Sequence, residues 1–271
     1  MTGEHKAVEF LNAAKVAAVD YVALWSQSHP KWLNYKQSAR EHIYTLSSRL
    51  RAEQIIPLLF SVTMHFDPIE ADKAFKLFVS WSVRFLIYGG GKGGRLEKPF
   101  ADLALAISQK KITKAKELRE EMKHIVPGDQ EFEEAFAIAS VSKTFLARYY
   151  LRALDKTLKS DPNPEYVANE DEREINLEHI MPPVPNSHWK IDAEIMAPMH
   201  RRIGNMVLLS ARKNTELGNS SFSKKKKAYR ESSYMVTSDV DTFESWGPDE
   251  IKRRQEAMAK IAVKTWTTNF E

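Results

Sequence analysis

The 271-residue chain contains no cysteine. Disulfides, thiolate zinc sites and cysteine nucleophiles are excluded together, and the absence agrees with a reducing cytoplasm. Long apolar runs are missing too. A stretch such as Ile55–Val62 falls far short of the roughly 20 residues that a membrane span requires. No basic region followed by a continuous apolar stretch opens the chain, so no secretory signal is expected. These absences predict a soluble, cytoplasmic protein. Strand-like alternation does not persist anywhere in the first 160 residues. The glycine cluster Gly89–Gly94 also lacks a Ser or Thr after Lys92. It follows a helical stretch rather than a strand, so it fails as a phosphate-binding loop and reads as an interhelical connection.

What remains is a composition of 43% hydrophobic and 28% charged residues, suited to a globular core that needs no staple. The net charge of +4 says little, but its placement says more. Ten basic and five acidic side chains lie between Glu174 and Arg230, a local excess of +5 that leaves −1 for the rest. Basic charge gathered in one stretch is what a phosphate-binding surface needs.

Residues 1 to about 160 read as helices. Ala7–Ser26 carries Val8, Leu11, Ala14, Val16, Val19, Val22 and Leu24 at roughly the spacing of a buried face. Asp67-Pro68 is a helix start, with a carboxylate cap and proline in the first turn, and the helix breaks at Gly89. Further helices are predicted over about Leu96–Gln109 and Thr113–Ile125, then one long helix from Asp129 through Leu154. Residues 159–172 are polar, contain two prolines and read as a linker. Beyond them Ile175–Ile180 looks like a short strand, Asn205–Leu209 a second strand after a tight turn at Gly204, and Asn214–Asn219 a turn. Phe222–Arg230 suggests a basic helix, and Gly247-Pro248-Asp249 opens a final helix ending near Trp266. The predicted fold is mainly α: a helical domain over 1–165, then a small domain of two short strands and helices, with a C-terminal helix, over 166–271.

The chemistry concentrates in three places: Glu178-His179 ending one strand, Asn205 opening the next, and Asn214 nine residues on. A strand–loop–strand–helix unit would gather them around one phosphate. Hydrolysis of a phosphodiester needs a water deprotonated near neutral pH, which suits an imidazole. It also needs a divalent cation to offset charge on the phosphate. Glu178 and Asn214 offer hard oxygen ligands, and Asn205 a hydrogen bond to orient the His179 ring.

Leu177-Glu178-His179-Ile180-Met181-Pro182, Ile203-Gly204-Asn205-Met206-Val207-Leu208-Leu209, Lys213-Asn214 and the ending Asn219–Tyr229 resemble the C-terminal HNH endonuclease domain of GmrSD-type proteins. That family comprises modification-dependent restriction and phage-defence proteins. The resemblance covers about 174–232. It implies that 166–271 is a small nuclease domain of ββα-metal type, a metal-dependent endonuclease acting on DNA, with His179 as general base, Asn205 orienting it, and Glu178 and Asn214 holding Mg2+ or Mn2+. Lys213, Asn219, Lys224, Lys225, Lys226 and Lys227 are the implied DNA contacts. Glu replaces the more familiar Asp before the histidine, and Asn stands at the third position where many HNH sites have His, which disfavours zinc. The family's Asp-Gly-Gln-Gln-Arg motif is missing, so the chain looks like an effector half, served by a separate sensor or nucleotide-hydrolysing domain or subunit.

Plainer roles compete. Four adjacent lysines point all round a helix, so only two can meet phosphate together. Phe222 and Tyr229 read as core anchors, and His188 and His200, flanking the motif loop, as surface residues, with assistance by one of them as a phosphate contact the alternative. A catalytically silent DNA-binding or assembly module with the same fold, or an RNA substrate, is compatible with these residues.

Overall fold

The computed structural model describes residues 3–89, 96–160, 171, 173–184, 186, 187, 189 and 191–269. Most of the expected linker, His188 and the glycine cluster beyond Gly89 lie outside them. Two compact units form: Met1–Gly128 with Trp266–Glu271, and Asp129–Thr265. The second unit begins at Asp129 and takes in the stretch where one long helix is expected.

The first unit holds α1 (Gly3–Ala23), α2 (Gln37–Tyr44), α3 (Ile56–His65), α4 (Pro68–Tyr88), α5 (Glu97–Ser108) and α6 (Ala115–Met122). Asp67 caps α4 by accepting from the amides of Ile69 and Glu70, with Pro68 in the first turn, as the sequence predicts. Of the face expected over Ala7–Ser26, Leu24 is buried just beyond α1, whereas Val8, Leu11, Ala14, Val16, Val19 and Val22 are exposed. Arg84 of α4 is fully buried. Its Nη1 donates to the Pro127 carbonyl (2.8 Å) and its Nε to the Trp266 carbonyl (2.9 Å). One guanidinium thus holds the chain where it leaves this unit and where it returns.

The second unit runs α7 (Asp129–Ile138), α8 (Thr144–Lys159), β1 (Ile175–His179), α9 (Ala193–Met196), β2 (Met206–Ser210), α10 (Ala211–Leu217), α11 (Phe222–Arg230), α12 (Met235–Ser238) and α13 (Pro248–Thr265). The single long helix expected from Asp129 is interrupted. Ser140 instead forms an antiparallel bridge to Arg202, and the Val141 amide donates to the Arg201 carbonyl (2.8 Å). The expected turn at Asn214–Asn219 is in large part helix. Ser210 caps α10 by accepting from the Lys213 amide (3.3 Å).

β1 and β2 are antiparallel, with Leu177 opposite Leu208, Glu178 opposite Val207 and His179 opposite Met206. The outer edge of β2 is closed by side chains rather than by a third strand. Thr237 Oγ1 accepts from the Leu208 amide (3.2 Å) and donates to its carbonyl (2.8 Å), and Arg254 Nη1 donates to the Gly204 (2.7 Å) and Met206 (3.0 Å) carbonyls. These contacts satisfy backbone groups that burial would otherwise leave unpaired. Gly204 is required for closeness, not for a turn: a Cβ there would lie 2.4 Å from the Ile251 carbonyl oxygen of α13. The core of the unit gathers Ile180, Met181, Trp189, Met196, Val207, Leu209, Leu217, Tyr229, Val240, Trp246 and Ile251.

Candidate functional site

Successive side chains of a strand point to opposite faces, so neighbours Glu178 and His179 enter different surroundings. Glu178 is buried, and its Oε1 accepts from Lys225 Nζ (2.5 Å) and the Tyr229 hydroxyl (3.2 Å), both on α11. Lys225 Nζ also donates to the His179 carbonyl (2.9 Å). Burial raises the Glu178 carboxyl above its ordinary range, against the opposing pull of Lys225 and Tyr229. The Lys225 side chain is 1% exposed. It therefore cannot serve as the DNA contact expected of it: it is the internal counter-charge of Glu178.

The other face carries the His179 ring. It is half-buried and lies 6.2 Å, centroid to centroid, from the ring of His200, tilted by 45°. Burial, with smaller contributions from the nearby His200 and Lys225, pushes the imidazole down to about 4. His179 is thereby kept neutral across the physiological range.

Asn205 is fully buried. Its Oδ1 accepts from the Met181 amide (2.9 Å) and Trp246 Nε1 (3.1 Å). Its Nδ2 donates to the carbonyls of Met181 (2.9 Å) and His200 (3.3 Å), and its own carbonyl accepts from the Ile180 amide (2.9 Å). None of these bonds reaches the His179 ring. Asn205 is a positioning residue that fixes the backbone on either side of the site.

Asn214 Nδ2 donates to the Leu177 carbonyl (3.3 Å), which brings α10 against β1 two residues before His179. Asn219 is exposed and ties down the loop after β1: its Nδ2 lies 3.5 Å from the Val184 carbonyl, and its own carbonyl accepts from Asn186 Nδ2 (3.0 Å). Lys213 is paired with Glu231 (3.3 Å). Of the lysine run, Lys226 donates to the Phe243 carbonyl (2.8 Å), whereas Lys224 and Lys227, one turn apart, are exposed. Tyr229 is a core anchor as expected, and Phe222 stacks on Trp246 (5.5 Å). His200 and Trp246 were not indicated by any motif. They reach the site through the loop between the strands and through a segment 41 residues beyond Asn205, separations that no local pattern records.

A short antiparallel strand pair, followed by a helix bearing Asn214 and braced by a basic helix, defines a mainly α protein with a histidine-centred site on a minimal sheet. The chain belongs to the family of GmrSD restriction endonucleases, C-terminal domain, whose model matches residues 126–261. That span contains the whole site and begins within a few residues of the second unit. Comparison with curated proteins gives no match.

Proposed function

We propose that the chain is a nuclease of HNH type that hydrolyses DNA phosphodiester bonds, the effector part of a restriction or phage-defence system. The observation that carries this reading is His179. A neutral, half-buried imidazole ends β1, its backbone pinned by Lys225 at its own carbonyl and by Asn205 at the next residue, inside the span that matches a restriction endonuclease family. A neutral imidazole with a fixed backbone is suited to take a proton from water attacking phosphorus. The phosphate itself brings negative charge, which raises the basicity of His179 toward the useful range once DNA is bound.

The β1–β2–α10 order is consistent with a ββα-metal arrangement, in which Mg2+ or Mn2+ offsets charge on the phosphate and the leaving oxygen. Asn214 fits such an ion. Its nitrogen is engaged by Leu177, and its oxygen has no partner among the described residues. Glu178 has Oε1 held by Lys225 and Tyr229, which leaves Oε2 as the oxygen it could offer an ion. No group of three or more His, Cys, Asp or Glu side chains able to hold a metal occurs among the described residues, but magnesium sites with substrate phosphates need only one or two protein oxygens. Lys224 and Lys227 are the lysines of the run suited to the DNA backbone. Target choice is assigned to a separate sensor domain or subunit.

The test is supercoiled plasmid incubated with Mg2+ or Mn2+. Relaxation or linearisation is expected, protected by chelator and slowed about 10²- to 10⁴-fold in His179→Ala, the usual worth of a positioned base. Cleavage by His179→Ala at the parent's rate overturns the assignment. Binding without cleavage by the parent identifies a silent DNA-binding module instead.

A further inference from the structure

His200 lies between α9 and β2, where no motif spacing points to it. Its Nδ1 is 2.9 Å from the Ala197 carbonyl, so Nδ1 carries a hydrogen and donates it. Its own carbonyl accepts from Asn205 Nδ2, the same buried amide that brackets Met181 beyond His179. A ring tied at both its side chain and its backbone has already lost the rotamer freedom of an ordinary surface histidine. With Nδ1 engaged, Nε2 is the nitrogen left for a ligand. No hydrogen bond joins the two rings among the described residues, and at 6.2 Å between centroids they are neighbouring rings, so a phosphate placed beside one lies beside the other. A reach of about 2.7–3.0 Å from each ring lets both imidazoles meet oxygens of one phosphate group.

We propose that His200 is a second substrate-contacting residue of the site, donating from Nε2 to a non-bridging oxygen of the phosphate whose attacking water is deprotonated by His179. With a hydrogen on each ring nitrogen, Nδ1 keeps the Ala197 carbonyl while Nε2 donates to the anion. The bond is charge-assisted and costs little preorganisation, because the ring is already held. This inference rests on the nuclease reading above.

The experiment compares parent, His179→Ala, His200→Ala and His200→Gln on a short DNA duplex with Mn2+, separating kcat from KM, with a thermal melt of each. Loss of one charge-assisted hydrogen bond is expected to lower kcat/KM about ten- to a hundredfold in His200→Ala. His200→Gln, which keeps an N–H donor, should recover part of that loss. Melting temperatures should stay near the parent's, since the ring is only part-buried. If His179→Ala is inactive while His200→Ala keeps the parent's kcat and KM, the role of His200 falls and the nuclease reading stands. If His179→Ala cleaves like the parent, the nuclease reading itself falls. A His200→Ala loss that tracks only the folded fraction, with KM unchanged, makes the residue structural and overturns the inference. Should His200→Ala not fold, His200→Gln at the parent's melting temperature decides: unchanged kcat/KM overturns the proposal and a reduced value upholds it.

Discussion

At His179 the surroundings decide which form of the imidazole the folded chain holds. Unfolded, the ring takes a proton as pH falls through about 6.5; folded, burial delays that to about 4. Between those values the unfolded state binds more protons, so acidification favours unfolding. The stability at stake is complete above about pH 6.5 and lost as pH drops through 4, on the order of 2–3 kcal/mol. Urea titrations at pH 7 and pH 4.5 should therefore show a smaller acid loss in His179→Ala than in the parent. Equal losses would show that the ring titrates normally. Asn205 acts differently. Removing its amide leaves the Met181 amide and carbonyl and the Trp246 indole without partners, at about 1–3 kcal/mol for each buried group. Asn205→Ala should lower the melting temperature by many degrees, and activity should fall with the folded fraction. A parent-like melt with lost cleavage would instead place Asn205 in the chemistry. The identity of these residues is legible in the sequence. Their surroundings, Asn205 fully buried and His179 half-buried, are not, because distant segments make them.

Among the elements, α11 shows most clearly how much local pattern reveals. Its bounds, Phe222–Arg230, are those the sequence predicts, because polar residues bracket a segment anchored by Phe222 and Tyr229. Its four lysines are identical in sequence and different in place: one pairs with Glu178, one caps a carbonyl, two face solvent. Lys224→Gln with Lys227→Gln should reduce the slope of log affinity against log salt by up to about 0.9 per lysine. An unchanged slope in filter binding would show that neither touches phosphate. Lys225 is the contrast. Lys225→Met leaves a buried carboxylate unpaired, at a cost of about 3–5 kcal/mol, readable as a lowered urea midpoint. Other elements were less legible. α10 is polar, and α1 is apolar at a helical period yet exposed. The break between α7 and α8 contains neither proline nor glycine and is made by pairing to Arg202, a distant partner that local propensity cannot register.

On the scale of the whole chain, no described helix is long and apolar enough to cross a membrane. Composition places the domain boundary at the polar stretch near 165, but the chain divides at Gly128, because α7 packs with α13 and α8 with α12 and β2. Polarity marks a surface segment; it does not mark which helices share a core. The grip of Arg84 on the Pro127 and Trp266 carbonyls has its own consequence. Both carbonyls lie within the span of one guanidinium, so the stretch from Asp129 to Thr265 departs and comes home through neighbouring points. Topologically it is a cassette, seated in a host whose own ends already meet. Replacing 129–265 by a short Gly-Ser bridge should leave the host folded, with helical circular dichroism and a cooperative melt. If the bridged host melts without cooperativity, it depends on its guest. If it stays folded, the first unit accepts a different insert between two carbonyls that a single arginine keeps together.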